Sequence, residues 1–282
     1  MPPICPKGVL EQRENIVIGQ GTHKGLVRSQ NEDSCGYYTY REPVNPGSKG
    51  HLFIVADGMG GHAAGQEASK LAVESVSRAY FADPAADPAD SLERAVDYAN
   101  RQIRDHSISK GNRGMGTTCT ALVINRDHGW IGHVGDSRAY RIRGGRMEQL
   151  TQDHTYVREL QLQGVIDENE ARTHPQRNLL TRAIGAKPTV EIDVVGPFEI
   201  DPGDTFLLCS DGLRPVEDEI ILSTVVAHDP QTACEILIQL ANNRGGRDNI
   251  TVQIVRSLRT NSTVPVSVVS RFTRRDDRDT AA

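Results

Sequence analysis

A single run, Ile54-Val55-Ala56-Asp57-Gly58-Met59-Gly60-Gly61-His62, joins an apolar segment to an aspartate and three glycines. The apolar half is typical of a buried strand, and Asp57 then stands at the end of that strand. The glycines leave room for a ligand beside the carboxylate, and their backbone can adopt positive φ angles. An Asp-Gly step also ends many strands as a plain turn. On this run alone, a ligand site and a turn are both open interpretations.

The composition of the 282 residues is that of an ordinary soluble globular protein, with 37% hydrophobic and 24% charged residues. A net charge of -5 argues against general binding to nucleic acid or to a membrane surface, since either needs a basic face. No apolar run approaches the roughly 20 residues that cross a bilayer. Residues 1–7 lack the apolar core of a signal peptide. We therefore expect a cytoplasmic protein with no nucleic-acid partner and no membrane span.

The five cysteines are widely spaced and include no Cys-x-x-Cys pair. This pattern indicates reduced, mostly buried residues of a cytosolic protein, and not a zinc site or a disulfide framework. None of the five lies in a loop that could cradle a phosphate, which disfavours a cysteine nucleophile.

Two helices are predicted directly after the run. From Ala64 to Tyr80 the apolar residues recur at the spacing of a helix with one buried face. The step Asp87-Pro88 is a capping signal for a second helix, which carries apolar residues as far as Ile103. We expect these two helices to lie antiparallel on one face of a sheet.

Short strands separated by turn residues are predicted through the rest of the chain, and such tight turns require antiparallel pairing. The predicted strands are residues 16–21, 37–40, 54–56, 117–124, 130–134, 139–142, 146–150, 190–195, 205–209 and 250–255. Residues 155–174 are polar and weakly helical, which predicts a surface flap, and residues 231–241 form a further helix. We predict one domain at 16–257, a loose lead-in at 1–15 and a disordered tail at 258–282.

Acidic residues recur at the turns beside the apolar runs. Five steps share this placement: Asn31-Glu32-Asp33, Asp57-Gly58, Gly135-Asp136-Ser137-Arg138, Ser210-Asp211-Gly212 and Arg247-Asp248-Asn249. In an antiparallel sandwich, strand ends from opposite directions can meet at one edge, where such carboxylates would repel one another without a cation. Oxygen-only ligands favour Mg²⁺ or Mn²⁺. We predict two ions about 4 Å apart, bridged by Asp57, that orient a water for in-line attack on phosphorus.

Each of these residues also has a simpler interpretation when it is taken singly. An aspartate at a turn can be a turn former or a helix cap, and Asp136 can form a local ion pair within its Asp-Ser-Arg step. Arg28 precedes the Glu32-Asp33 pair and could hold phosphate oxygens with its planar fork, or it could be a solvated surface arginine. Candidates for a general acid, or alternatively structural histidines, are His62, His133 and His154.

Taken in order, the motifs resemble the metal-dependent serine/threonine protein phosphatases of the phosphatase 2C type, in their bacterial form. The matching segments span about residues 17–257 and are Val27-Arg28-Ser29-Gln30-Asn31-Glu32-Asp33-Ser34, Val55-Ala56-Asp57-Gly58-Met59-Gly60-Gly61-His62, Gly116-Thr117-Thr118, Gly135-Asp136-Ser137-Arg138-Ala139-Tyr140, Leu150-Thr151-Gln152-Asp153-His154, Leu180-Thr181-Arg182-Ala183-Ile184-Gly185, Cys209-Ser210-Asp211-Gly212-Leu213 and Arg247-Asp248-Asn249-Ile250-Thr251-Val252. The ordered set is specific, whereas a single member is not.

The resemblance implies an α+β fold, a four-layer α-β-β-α sandwich of two antiparallel sheets flanked by helix pairs. It also implies hydrolysis of phosphoserine and phosphothreonine in proteins that a serine/threonine kinase has phosphorylated. The implied site residues are Asp57 as the metal bridge, the carbonyl of Gly58 as a ligand, Asp211 and Asp248 on the first ion, Glu32 on the second ion with Asp33 as a direct or water-mediated partner, Asp136 on a third, weaker ion, and Arg28 on the phosphate.

The chain departs from the family pattern in two places. Met59 stands where animal members have a histidine, so that the nearest histidine is His62 and the identity of the general acid stays open. Arg214-Pro215 follows Leu213, where the family usually begins a short polar helix. Two rival functions are a catalytically silent regulator that binds phosphoproteins and a phosphatase of a small phosphoester.

Overall fold

A computed structural model describes residues 11–13, 15–39, 49–61, 63–112 and 114–258. The strands are β1 (Glu11–Arg13), β2 (Ile16–His23), β3 (Asp33–Thr39), β4 (His51–Met59), β5 (Gly116–Thr117), β6 (Cys119–Asn125), β7 (His128–Val134), β8 (Arg138–Arg143), β9 (Arg146–Gln149), β10 (Asp193–Glu199), β11 (Thr205–Cys209) and β12 (Ile250–Ser257). The helices are α1 (Ala63–Ala82), α2 (Pro88–Lys110), α3 (Tyr156–Leu162), α4 (Glu168–Thr173), α5 (Asp218–Ala227) and α6 (Pro230–Asn243), with a single 3-10 turn at Asp211–Leu213.

The strands form two sheets. The first has the order β1-β2-β12-β11-β8-β9, and the second has the order β10-β7-β6-β4-β3, with β5 paired to β4. All of these pairings are antiparallel, as the short turns predicted.

Three apolar cores hold the layers together. Side chains that include Phe53, Leu122 and Phe206 fill the space between the two sheets. A second core joins α1 and α2 to the second sheet, and a third joins α5 and α6 to the first sheet. Each large side chain buried in this way contributes about 1.5–3 kcal/mol of transfer free energy. The predicted α-β-β-α sandwich is confirmed.

The capping prediction for α2 is also confirmed. Asp87 is the N-cap, and its side chain accepts a hydrogen bond from the Ala89 N–H. Pro88 occupies the first turn, where backbone N–H groups have no partner within the helix, so the missing N–H of proline costs no hydrogen bond. The predicted flap at 155–174 contains the short helices α3 and α4. Among the helices of the described ranges, none combines the length and the apolar character that a bilayer span requires.

Several expectations were wrong in detail. Residues 11–13 of the predicted loose lead-in form β1, which pairs with β2. Helix α5 was not predicted, because its own apolar residues are distributed around the helix and do not follow one face. Cys119, Cys209 and Cys234 are free and buried, but Cys35 is disulfide-bonded, so the prediction of five reduced cysteines is wrong at that position. The rest of the lead-in and the tail from residue 259 lie outside the described residues.

Candidate functional site

The strand ends bring the acidic steps to one edge of the sandwich. Asp33 opens β3 directly opposite Asp57, near the end of β4. Asp211 follows β11, and Asp248 precedes β12, which pairs with β11 in the antiparallel direction. Asp136 lies in the turn between β7 and β8. The topology therefore explains why residues more than 200 positions apart meet at one place.

The backbone of Asp57 is held on both sides. Its N–H donates to the Thr118 hydroxyl at 2.9 Å, and its carbonyl accepts from the Thr118 N–H at 2.9 Å and from the Thr117 hydroxyl at 2.8 Å. These bonds fix the strand end, so that the carboxylate has a defined position without using its own oxygens.

Two glycines allow the Glu32 segment to approach β4 and α1. The Gly58 N–H donates to the Glu32 carbonyl at 3.2 Å, and a Cβ on Gly58 would lie 2.1 Å from the Gly65 carbonyl oxygen. A Cβ on Gly65 would lie 1.9 Å from Glu32 Oε2. The carboxylate of Glu32 therefore packs against the first turn of α1, in space that only glycine leaves empty. Gly65 was not predicted as a site residue, although its place one turn beyond the glycine run was the available signal.

Asp33 is buried, and one of its two oxygens is fully bonded. Its Oδ2 accepts hydrogen bonds from the hydroxyls of Ser210 and Thr251, both at 2.7 Å. Its Oδ1 is also buried and finds no hydrogen-bond partner within the described part of the chain. Burial, with the neighbouring charges of Asp211 and Asp248, raises the pKa of Asp33 to about 7, although the two hydroxyls act to lower it. Sequence reasoning did not assign roles to Ser210 and Thr251, although both lie within the quoted motifs.

The pKa values of Asp57 and Asp211 are raised as well. Burial raises the pKa of Asp57 well above its ordinary value, with further contributions from Asp33, Asp211, Asp136 and Asp248. Burial and the charge of Asp136 raise the pKa of Asp211 to about 6. In the described ranges, Asp211 Oδ1 is a second buried oxygen without a hydrogen-bond partner. The carboxyl groups therefore carry more negative charge than the neighbouring arginines, Arg28 and Arg214, neutralise.

Arg28 lies at the rim of this cluster and is half exposed. Its Nη2 donates to Asp248 Oδ2 at 2.7 Å, while Asp248 Oδ1 accepts from the Asn249 N–H at 2.9 Å. Arg28 and Glu32 line the same cleft, but the ion-pair partner of Arg28 is Asp248.

Asn249 clamps the Glu32 loop to β12. Its Oδ1 accepts from the Glu32 N–H at 2.7 Å, and its Nδ2 donates to the carbonyls of Lys24 and Gln30, each at 2.9 Å. Three of the four hydrogen-bonding positions of the amide are used, so Asn249 orients the loop that carries Glu32.

Asp136 has an arginine as its partner. Arg214 Nη2 donates to Asp136 Oδ2 at 2.8 Å and to Asp153 Oδ2 at 3.2 Å. The local arginine, Arg138, instead forms a fork with Asp153, with Nε–Oδ1 at 2.9 Å and Nη2–Oδ2 at 2.7 Å. The local ion pair considered for Asp136 is therefore replaced by a long-range one.

The two described histidine candidates have structural roles. His133 is buried between the Thr120 hydroxyl and the Gln152 carbonyl, and burial together with His154 lowers its pKa to about 4. His154 Nδ1 accepts from the Gly135 N–H at 3.0 Å, and its Nε2 lies 3.1 Å from Asp193. His154 holds the loop before Asp136, and neither histidine lines the cleft described below. His62 lies outside the described residues.

A cleft of about 920 Å³ opens over the cluster. Its wall contains Arg28, Glu32, Asp57, Gly58, Asp136, Asp211 and Asp248. Residues 178–183, 186–187 and 189–191 also line the cleft, whereas Asp33 is buried opposite Asp57 and is not a lining residue. Of the described candidates, the carboxylates other than Asp33, together with Arg28 and Gly58, thus line one cleft, whereas His133 and His154 do not.

The donor set fits hard divalent cations. It consists of carboxylate and carbonyl oxygens, and two buried carboxylate oxygens, Asp33 Oδ1 and Asp211 Oδ1, have no hydrogen bond in the described ranges. Among the described residues, no group of three or more acidic, histidine or cysteine side chains is already drawn together tightly enough to hold an ion. Mutual repulsion and the arginine bonds of Asp136 and Asp248 account for this spacing.

Comparison with known proteins places the chain in a family. The protein phosphatase 2C family matches residues 21–242. Serine/threonine phosphatase stp of Listeria innocua is 37% identical over 242 residues, which cover 83% of this chain and 93% of that protein. The crystal structure of the serine/threonine phosphatase PstP/Ppp of Mycobacterium tuberculosis superposes with a TM-score of 0.77 at 36% identity, over 87% of this chain and 100% of that one. The catalytic domain of PstP in complex with two manganese ions gives a TM-score of 0.73 at 34% identity, over 87% and 99% of the two chains.

The chain therefore belongs to the protein phosphatase 2C family. Within that family it is a serine/threonine protein phosphatase of the bacterial type, as the order of its motifs indicated.

Proposed function

We propose that this phosphatase hydrolyses phosphoserine and phosphothreonine in proteins with two divalent cations, Mn²⁺ or Mg²⁺, bound at the acidic cleft. The observation that carries the proposal is the convergence of oxygen ligands around two buried, unbonded carboxylate oxygens. The relative PstP, solved with two manganese ions, supports the same number here. The proposed ligands are Asp57 as the bridge, the Gly58 carbonyl, Asp211, Asp248 and Glu32, with Asp33 direct or through water.

When bound, two such cations would lower the pKa of a water and stabilise the charge that develops on the phosphoryl group. The residues of the chain supply position and orientation. Thr117 and Thr118 fix Asp57, Asn249 orients the Glu32 loop, and the hydroxyls of Ser210 and Thr251 hold Asp33. No side chain of the protein is required as a nucleophile.

Arg28 would bind the substrate phosphate. A guanidinium has five N–H donors, so the bond to Asp248 leaves others for phosphate oxygens at the rim of the cleft. The planar fork matches the geometry of two phosphate oxygens. For the general acid, His62 stays a prediction that rests on its place in the chain next to Gly61, which lines the cleft.

A turnover assay separates this proposal from its rivals. Phosphopeptides and small phosphoesters are compared with Mn²⁺, with Mg²⁺ and with chelator. We expect phosphopeptide turnover that chelator abolishes and that added Mn²⁺ restores. No turnover under any condition would favour a silent regulator, and a clear preference for a small phosphoester would favour the second rival.

Several finer assignments are also proposals. We assign the catalytic domain to residues 16–257, propose phosphorylated targets of a serine/threonine kinase as substrates, and place the protein in the cytoplasm. The three free cysteines support a reducing compartment, whereas the disulfide at Cys35 is uncommon there. Cell fractionation followed by mapping of the free thiols tests the location. At Asp136, where the resemblance implies a third ion, the carboxylate is instead paired with Arg214.

A further inference from the structure

Arg214 lies at the acidic corner formed by Asp136, Asp153 and Asp211. Its Nη2 is 2.8 Å from Asp136 Oδ2, 3.2 Å from Asp153 Oδ2 and 3.3 Å from the Asp136 carbonyl oxygen. Its Nη1 is 4.0 Å from Asp211 Oδ2. One guanidinium thus faces three carboxylates, two of which belong to the predicted metal site.

The local backbone holds this side chain in place. Arg214 ends the 3-10 turn that begins at Asp211, and its N–H donates to the Asp211 carbonyl at 2.9 Å. Pro215 follows, with its fixed φ, and the Val216 N–H then closes the turn on Leu213 at 3.0 Å. The side chain of Arg214 is three-quarters buried, and that of Asp136 is 6% exposed.

A divalent cation and this guanidinium would compete for the same oxygen. Asp136 Oδ2 is already bonded to Arg214, and a second cation beside it would be repelled strongly, since both charges would share a partly dry site. Arg214 is also held by a second carboxylate, because the same Nη2 donates to Asp153 Oδ2 at 3.2 Å and the fork of Arg138 fixes Asp153 in turn. The residues around Asp136 therefore do not fit a third ion while Arg214 is present.

We propose that the guanidinium of Arg214 takes the place of the third, weaker cation, so that this phosphatase binds two divalent ions and carries the third positive charge in its own chain. The inference rests on the proposed dinuclear function. Arg214 is then a positioning residue, which orients Asp136 and neutralises it next to Asp211. The Arg214-Pro215 step that departs from the family pattern is the sequence feature that creates it.

Manganese binding to the full chain tests this inference. The number of bound ions is measured by titration calorimetry and by the electron paramagnetic resonance signal of free Mn²⁺. We expect two ions on the wild-type chain and a third, weaker one on Arg214→Gln, in which Asp136 loses its cationic partner. Arg214→Lys keeps the charge and should remain at two. Arg141→Gln is the matched control, because Arg141 pairs with the exposed Glu148 on the outer strands β8 and β9, and it should also remain at two.

Asp136→Asn gives an independent measurement that does not depend on the folding of Arg214→Gln. In the wild-type background it should leave the number of bound ions at two, and in the Arg214→Gln background it should remove the third. Three ions on the wild-type chain, loss of an ion in Asp136→Asn alone, or a folded Arg214→Gln that still binds only two ions would each overturn the inference. A wild-type chain that binds no Mn²⁺ would instead overturn the proposed function, and this inference with it.

Discussion

Asp57 combines a fully bonded backbone with a carboxylate that four other acidic residues repel. The strand end is fixed by the bonds to Thr117 and Thr118, so the side chain cannot relax away by moving the backbone. Burial and these neighbouring charges raise its pKa, and a bound cation would favour the charged form of the carboxylate. At the scale of one residue, electrostatic repulsion at a fixed carboxylate therefore favours the binding of a cation.

The substitution Asp57→Asn should remove metal-dependent turnover, lowering kcat by about 10³-fold, as for the loss of one preorganised electrostatic group. The metal-free variant should melt at the same or a higher temperature, because the amide removes a repelled charge. Asp127→Asn, the same change at an exposed residue in the turn before β7, is the control and should leave both quantities unchanged. Retained turnover in Asp57→Asn would remove Asp57 as the bridge.

Arg28→Ala should act on substrate binding. We expect KM for phosphopeptides to rise roughly tenfold, which corresponds to about 1.4 kcal/mol, with a smaller change in kcat. The KM of Arg28→Lys should lie between those of the wild type and Arg28→Ala, because an ammonium keeps the charge but loses the planar fork. Steady-state kinetics on one phosphopeptide measures both parameters. An unchanged KM in Arg28→Ala would contradict the phosphate-binding role.

At the scale of the element, the start of α1 shows how packing constrains a helix residue. Alanine is ordinarily favoured over glycine within a helix by about 1 kcal/mol. At Gly65 a methyl group would occupy the position of Glu32 Oε2, so the glycine keeps space for the carboxylate. The element is thus shaped by the site that it borders.

Gly65→Ala should therefore separate stability from metal binding. The clash is with the flexible end of the Glu32 side chain, so we expect the protein to fold, with a melting temperature of the metal-free form close to that of the wild type. The affinity for Mn²⁺ should fall about tenfold to a hundredfold, as when residues that orient metal ligands are changed. Gln66→Ala, at the next and exposed position, is the control. Unchanged Mn²⁺ affinity in a folded Gly65→Ala would show that Glu32 is not a ligand.

Helices and strands were predictable where a local signal matched the final environment. The periodicity of α1 and the Asp87-Pro88 cap of α2 are such signals. Helix α5 gave none, because Ile220, Ile221 and Leu222 are consecutive and two of them are β-branched, a pattern that favours a strand as much as a helix. Strand β1 has only three residues, and it depends on β2 for its pairing.

At the scale of the whole molecule, the carboxylates could be predicted as a set but their partners could not. Their positions at strand ends follow from local pattern, and antiparallel topology brings them together. The ion pair between Arg214 and Asp136 joins residues 78 positions apart. It depends on which arginine the folded chain places beside the buried carboxylate. Such choices among similar side chains depend on packing across elements, which a single sequence does not display.

The stability of the metal-free protein should depend on pH in the direction that the raised pKa values set. In the folded state the pKa of Asp33 is about 7 and that of Asp211 is about 6, both above the ordinary value of 3.8. Between the ordinary pKa of 3.8 and these raised pKa values, the folded state binds more protons than the unfolded state, so the free energy of unfolding falls as pH rises. We expect the melting temperature in chelator to fall from about pH 5 to pH 8, and Mn²⁺ to restore it at the upper end. A flat profile in chelator would contradict the buried cluster of raised pKa, and Asp33→Asn should make the profile less steep, because Asp211 still contributes.

The central claim is that Glu32, Asp57, Asp211 and Asp248 gather around two cations at one rim of the sandwich. The most direct test is a crystal structure of the full chain grown with Mn²⁺, with anomalous diffraction measured at the manganese edge. We predict two anomalous peaks, both within coordination distance of Asp57, one also contacting Asp211 and Asp248 and the other contacting Glu32. Peaks located elsewhere, or an ordered structure grown in Mn²⁺ without peaks at this cluster, would contradict the account.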